Sequence, residues 1–125
     1  MTTKKLKEDV LKWIKSEGLI NRIFFSIPIQ KFVEFNTKGL KHAISRNYKY
    51  PEIEIQILKN IPEILPNSHY MGFDINTKTS DKNIKGVHNY YDIVFFKGEL
   101  FEVWIKVKET KDKTYFYDFG IIRKI

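Results

Sequence analysis

The stretch LFEVWIKVK at residues 100–108 decides the fold class, because its apolar and polar residues alternate along its whole length. A period of two places alternate side chains on opposite faces of a β-strand. The set expected to face the core is Phe101, Val103, Ile105 and Val107. The set expected to face water is Glu102, Trp104, Lys106 and Lys108. The tryptophan in this set is expected to be exposed or covered by a helix.

Two further segments have the composition of strands, and short connectors join them to the first. Residues 89–96 and 115–122 are rich in aromatic and branched side chains. The connectors, residues 97–99 and 110–113, are short enough for hairpins. Residues 69–74 have the length of one more short strand. The C-terminal half is therefore predicted to be an antiparallel meander of about four strands.

Helical periodicity dominates the earlier part of the chain. Residues 4–17 and 51–65 carry apolar side chains at helical spacing, and residues 36–46 form a shorter amphipathic helix. Pro51 is placed to start the longest of these helices. Pro62 is expected to kink it or to start a new short turn, because it removes one backbone hydrogen bond.

The segment between the first two helices contains Pro28, which cannot donate to a sheet. Residues 21–30 are therefore predicted to be an edge strand or an extended linker, while residues 32–35 alternate like a strand. The predicted fold class is α+β, with N-terminal helices packed on the antiparallel meander. The chain has the length of one compact domain, with a helix and extended segment at residues 1–30 and an α+β domain at residues 31–125.

Composition and charge exclude some classes of protein and favour others. The chain has no cysteine, which excludes disulfides and thiolate metal sites. No apolar run approaches the roughly 18 residues of a spanning helix, so the chain is expected to be soluble. The formal net charge of +7 favours a polyanionic partner such as RNA. An anionic membrane surface, or a lysine-rich proteome encoded by an AT-rich genome, would account for the same excess.

The amphipathic helix at residues 36–46 carries a mostly cationic face. Its apolar side holds Leu40, Ala43 and Ile44. The opposite side, with one lysine at its edge, holds Lys38, Lys41, His42, Ser45 and Arg46. Imidazole, ammonium, guanidinium and hydroxyl groups on one exposed face are suited to binding a phosphate. A solvated basic face is the plainer explanation of the same pattern.

The motifs that are missing from the sequence limit the kinds of catalysis to be considered. The chain has no glycine-rich phosphate loop, no nucleophile elbow and no histidine pair at metal spacing on one helix. Its aspartates are scattered, so neither a metal nor another cofactor is expected. The remaining route is metal-free RNA cleavage, in which the ribose 2′-hydroxyl attacks the adjacent phosphorus. That reaction needs a base, an acid and fixed cations, which histidine, tyrosine, lysine and arginine can supply.

Two histidines and two tyrosines are the candidate catalytic residues. His42 is the expected general base or acid, and His88 with Tyr90 or Tyr117 is the expected complementary group. The expected phosphate and RNA binders are Lys38, Lys41, Ser45 and Arg46. Each candidate also has a plainer explanation: a histidine on a helix surface is commonly just solvated, His88 can fill a sheet edge, and tyrosines within strands pack in a core.

Five short motifs, taken in order, resemble those of one nuclease superfamily. They are FNTKGLKHAISR at residues 35–46, NIPEIL at 60–65, HNYY at 88–91, KGELFEV at 97–103 and YFYD at 115–118. Their order and spacing resemble phage-associated domains of the barnase, EndoU, colicin and RelE (BECR) nuclease superfamily. More narrowly, the chain is similar to the large polyvalent protein-associated domain over about residues 32–122.

The resemblance implies an α+β fold with helices on a four-stranded antiparallel sheet, and a metal-independent ribonuclease activity as a toxin or effector. Its Lys-x-x-x-His element corresponds to Lys38 and His42, and its His-x-Tyr-Tyr element to His88, Tyr90 and Tyr91. The expected site of action is the cytoplasm, after delivery as part of a phage or secreted effector.

The expected partners are RNA and an immunity or antitoxin protein, without a membrane or a metal. Two alternatives to an enzyme remain open. One is a non-catalytic RNA- or protein-binding module on the same scaffold. The other is a basic adaptor that docks a protein partner, for which the His42 face would have no chemical role.

Overall fold

The computed structural model describes residues 3–46, 48–75 and 83–125. In these ranges the chain forms three helices and six strands. In chain order they are α1 (Thr3–Ser16), β1 (Ile23–Ser26), β2 (Lys31–Glu34), α2 (Thr37–Ser45), α3 (Pro51–Asn67), β3 (His69–Ile75), β4 (Ile84–Phe96), β5 (Glu99–Thr110) and β6 (Tyr115–Lys124).

The strands form one mixed sheet in the order β1-β2-β6-β5-β4-β3. Neighbouring strands are antiparallel except β2 and β6, which run parallel and pair at Glu34 and Phe116. The predicted fold of N-terminal helices on an antiparallel meander of about four strands is therefore wrong. The β1–β2 hairpin extends the sheet beyond β6, and it lies between α1 and the other two helices along the chain.

The predicted helices agree closely with the observed ones, and α3 runs through Pro62 without a break between Pro51 and Asn67. β1 is an edge strand, the first of the two possibilities predicted for residues 21–30. Residues 77–86 have the polar composition of a loop. Most of them lie outside the described residues, and the last three belong to β4.

The core lies between the three helices and one face of the sheet. The alternation in β5 predicts this face correctly, because Phe101, Val103, Ile105 and Val107 are at most 4% exposed. α3 contributes Leu58, Ile61 and Leu65, and α1 contributes Val10 and Ile14. Burial of these side chains is the main stabilising contribution to the fold.

The opposite side of the sheet, called the outer face below, carries the other half of the β5 alternation. On it the strand register pairs Lys106 with Asn89 and Trp104 with Tyr91, while Lys108 lies opposite Phe116. The outer face therefore presents two lysines and the partly exposed rings of Tyr91 and Trp104 on the side of the sheet away from the core, while Phe116 is buried.

Candidate active site on the outer face

Helix α2 is positioned by a cap at its start and by backbone contact with β6. The Asn36 side chain accepts a hydrogen bond from the Gly39 backbone N–H at 2.8 Å, which caps the first turn. A Cβ atom at Gly39 would lie 1.8 Å from the Tyr117 carbonyl oxygen. Because glycine has no Cβ, the helix backbone can lie directly against the strand. This contact brings the polar side of α2 to the edge of the outer face.

Asp118 lies at a β-bulge in β6. Val107 pairs with Tyr117 and Lys106 pairs with Phe119, so the register shift leaves Asp118 without a partner in β5. A bulge of this kind redirects the side chain of the extra residue. The Asp118 carboxylate is 2% exposed.

His42, Asp118 and Lys108 form one group, called the His42 group below. The Asp118 Oδ1 atom is 2.9 Å from His42 Nδ1, and its Oδ2 atom is 3.3 Å from Lys108 Nζ. The Oδ2 contact is an ion pair without hydrogen-bond geometry. A buried carboxylate needs such cationic neighbours, because burying an unpaired charge costs several kcal/mol, on the order of the whole stability of a domain.

The geometry determines which proton-transfer chemistry His42 can perform. When the neutral ring donates Nδ1–H to Asp118, Nε2 carries the lone pair and is the basic atom. Once the ring is protonated, the buried carboxylate stabilises the imidazolium. The His42 side chain is 43% exposed, so a molecule in solution can reach it.

A second polar contact chain lies beside the His42 group on the outer face. Lys106 Nζ donates to Asn89 Oδ1, and Asn89 Nδ2 donates to Asp74 Oδ2 at 2.8 Å. Lys106 and Lys108 are two residues apart in β5 and therefore point to the same side. The outer face thus has polar and basic side chains from α2 across to β3.

His88 belongs to a different group on the core face, in register with Val107. Its Nε2 atom is 2.7 Å from Glu109 Oε1, and its Nδ1 atom is 2.8 Å from the Tyr70 hydroxyl. Lys85 Nζ lies 3.3 Å from Glu109 Oε2. Burial alone would raise the pKa of Glu109, but hydrogen bonds from His88 and Lys85 outweigh it and lower that pKa. His88 is 7% exposed, so this group is largely shielded from solvent.

The two candidate tyrosines also lie in the core. Tyr90 and Tyr117 are each 2% exposed. The Tyr90 hydroxyl is 2.7 Å from Ser26 Oγ, which joins β4 to the edge strand β1. Burial raises the pKa of both phenols, most strongly at Tyr117. The structure therefore brings neither tyrosine nor His88 into the group around His42.

The predicted phosphate binders on α2 separate into two sets. Lys38 and Ser45 share the His42 side of the helix, and Ser45 Oγ donates to the His42 carbonyl at 3.1 Å. Lys41 instead lines a groove between α1 and α2. Arg46 ends the helix near Tyr48, where burial raises the phenol pKa and the Arg46 charge opposes that rise.

Sequence reasoning missed Asp118 and Lys108 in the His42 group. It also missed Glu109, Tyr70 and Lys85 in the group around His88. One signal was available for Asp118, since it is the lone charged residue in YFYDFG at residues 115–120. A charge within an otherwise apolar strand indicates a partner or a special position. No comparable signal marked the two β5 residues, which occur among other charged residues of that strand.

The described residues contain no group of three or more His, Asp or Glu side chains arranged to hold a metal. Within the same ranges, no helix is both long and apolar enough to cross a membrane.

The fold and site define a helix-covered mixed sheet with a histidine–aspartate pair at the edge of a basic face. The chain belongs to the large polyvalent protein-associated domain 3 family, whose model matches residues 1–117. The match includes α1 and β1, which lie outside the range of the sequence resemblance. Neither curated proteins nor solved structures give a significant match.

Proposed function

We propose that this chain is a metal-independent ribonuclease-like domain that cleaves RNA at the His42 group. The observation that carries the proposal is the pairing of a half-exposed imidazole with the buried Asp118 carboxylate at 2.9 Å. This arrangement orients a histidine for proton transfer, and Lys108 adds a cation beside it.

In the proposed reaction the ribose 2′-oxygen attacks the adjacent phosphorus and the bond to the 5′-oxygen breaks. His42 Nε2 takes the proton from the 2′-hydroxyl, and Asp118 stabilises the resulting imidazolium. The leaving 5′-oxygen takes a proton from water. The products are a 2′,3′-cyclic phosphate and a 5′-hydroxyl end.

The negative charge that develops on the phosphoryl oxygens needs fixed cations. Lys108 in the His42 group and Lys38, four residues before His42 on the same side of α2, are the proposed partners. Fixed cations favour the transition state because they need no rearrangement when the charge forms.

The same proposal includes the superfamily of the domain and its biological role. We assign the domain to the BECR nuclease superfamily and expect it to act as a toxin or effector in the cytoplasm, after delivery as part of a phage or secreted effector. RNA is the proposed substrate, and an immunity or antitoxin protein is the proposed inhibitor. The support is the order of the five sequence motifs together with the His42 group.

A non-catalytic RNA-binding module is the second candidate function. It is favoured by the burial of His88, Tyr90 and Tyr117, the residues expected to supply the complementary proton-transfer group. Under this alternative the basic outer face binds RNA, and the His42–Asp118 pair stabilises the contact between α2 and β6.

The deciding experiment measures cleavage of a mixed RNA pool by the wild type and by His42→Ala, with and without EDTA. We expect cleavage that survives EDTA, fails on DNA and falls roughly 10²- to 10⁴-fold in His42→Ala, because the base is lost. Asp118→Asn should also lower the rate, since an amide does not stabilise the imidazolium as a carboxylate does.

His69→Ala is the matched control, because His69 is an exposed histidine at the start of β3. It should cleave like the wild type. RNA that is bound but left intact by the wild type would establish the non-catalytic module. Full activity in His42→Ala would place the site elsewhere.

A further inference from the structure

A pair of aromatic side chains lies on the outer face next to the two lysines of β5. Tyr91 and Trp104 are directly opposite each other in β4 and β5, with ring centroids 4.8 Å apart and an interplanar angle of 59°. Both side chains are partly exposed. The pair belongs to neither the core nor the His42 group.

Hydrogen bonds hold Tyr91, one member of the pair, in place. The Tyr91 hydroxyl donates to Glu102 Oε1 at 3.1 Å. Arg123 donates to Glu102 Oε2 from both Nε and Nη2, at 3.0 and 2.9 Å. The Arg123 charge balances that of the Glu102 carboxylate, which accepts the Tyr91 hydrogen bond. A side chain held in this way loses little conformational entropy when a ligand binds.

The pair is also aligned with the basic side chains. Lys106 Nζ lies 5.7 Å from the centre of the Trp104 ring. Trp104, Lys106 and Lys108 follow one another at every second residue of β5, a spacing of roughly 7 Å per step on one face. A strand of nucleic acid laid along β5 would therefore meet an aromatic ring, then a cation, then the His42 group.

We propose that Tyr91 and Trp104 stack on an unpaired base, so that the substrate of the His42 group is single-stranded RNA. This inference rests on the proposed function, whose site it extends by a base-binding position. An aromatic platform beside lysines is the arrangement by which proteins bind single strands without a fixed sequence. A duplex has its bases stacked on one another and offers no ring to this pair.

The test uses fluorescence of Trp104 in a Trp13→Phe background, which leaves it as the single tryptophan. The probe is a short 2′-O-methyl RNA, which keeps the RNA backbone but lacks the attacking hydroxyl. We expect the single strand to quench the emission and the same strand annealed to its complement to quench it far less. Equal quenching by both forms, or none with either, would overturn the inference.

Affinity measurements on variants complete the test. Loss of one stacked base costs about 1–3 kcal/mol, so Trp104→Leu should bind the single strand about 5- to 150-fold more weakly. Phe95→Leu is the matched control, because Phe95 is a 71% exposed aromatic residue on the outer side of β4, nearer the hairpin tip. Equal weakening in the control would contradict a stacking role for Trp104.

The readouts separate this inference from the proposed function. Quenching without cleavage of unmodified RNA would support the base-binding position and reject the ribonuclease. Cleavage by a protein whose Trp104 emission and affinity do not respond to the strand would keep the ribonuclease and reject the base-binding position. The quenching measurement keeps Trp104 in place, so it remains decisive even if Trp104→Leu fails to fold.

Discussion

Asp118 and Glu109 are both buried carboxylates bound to a histidine, yet they occupy different chemical settings. The partner of Asp118 is His42, which is 43% exposed as a side chain, whereas the partner of Glu109 is His88, which is 7% exposed. Proton exchange with a substrate requires access, so the first pair is the one proposed to take part in chemistry. The second pair is placed to join β4 to β5, and it contributes to stability.

The pH dependence of stability tests the role of Glu109. Its pKa is lowered in the folded protein relative to its ordinary value. The carboxylate therefore stabilises the fold above its ordinary pKa, and this contribution is lost as pH falls through the lower folded value. We expect Glu109→Gln to cost about 1–3 kcal/mol at neutral pH and less at acid pH, measured by urea unfolding.

Glu99→Gln is the control for this experiment. Glu99 is half exposed and forms a surface ion pair with Lys124 at 3.0 Å. Such pairs contribute about 0–1 kcal/mol, so the substitution should change stability little at either pH. A difference between Glu109→Gln and the wild type that stays constant with pH would contradict an ionised Glu109 in the fold.

At the scale of elements, the contact between α2 and β6 places His42 next to Asp118. The helix cap at Asn36 sets where α2 begins, and the missing side chain of Gly39 sets how close it comes to Tyr117. Lys7 of α1 contacts the C-terminal end of α2, where its Nζ atom donates a hydrogen bond to the Arg46 carbonyl at 2.7 Å. The candidate site therefore depends on helix packing as much as on its own side chains.

Gly39→Ala tests this packing. The added Cβ would lie 1.8 Å from a backbone carbonyl oxygen that cannot move independently, so α2 must shift away from β6. We expect a loss of about 1–3 kcal/mol and a melting temperature lower by about 4 °C or more. The rate of RNA cleavage should fall as well, because His42 moves with the helix.

Gly120→Ala in β6 provides the comparison. A Cβ there would lie 3.5 Å from the Trp104 carbonyl oxygen, which is an ordinary contact. Its effect on the melting temperature should be small, since alanine also restricts the unfolded chain more than glycine does. Equal destabilisation by the two substitutions would show that close approach of α2 is not the cause.

At the scale of the whole molecule, the excess of basic residues should make RNA binding depend on the salt concentration. The chain carries a formal net charge of +7, and two of its lysines lie in a row on the outer face. Binding of RNA should weaken linearly in a plot of log affinity against log salt, because each neutralised phosphate releases counterions. The slope of this plot measures the number of phosphates that the protein neutralises, not the net charge of the protein.

Lys106→Gln tests whether those contacts lie on the outer face. The substitution should reduce the salt slope by about 0.7, the value for one phosphate contact on a single strand. Lys12→Gln removes the same charge from an exposed position on α1, which packs against α3 and α2, and should leave the slope unchanged. Equal changes in the two variants would indicate that net charge alone attracts RNA.

Local sequence patterns predict the helices and most of the strands. The alternation in β5 and the apolar spacing in α1 and α3 are local patterns, and a local pattern needs no knowledge of distant residues. The cationic side of α2 follows from the same short-range rules. The basic charge and the absence of cysteine were likewise plain from composition.

The arrangement of these elements could not be predicted from local patterns. The parallel pairing of β2 with β6 turned a predicted meander into a mixed sheet, and the short β2 carries no mark of its partner. The bulge at Asp118 joined it to His42, which lies 76 residues earlier. The register also assigned His88 to the core face. Such pairings depend on the burial and geometry of the whole chain, because residues far apart meet only where packing brings them together.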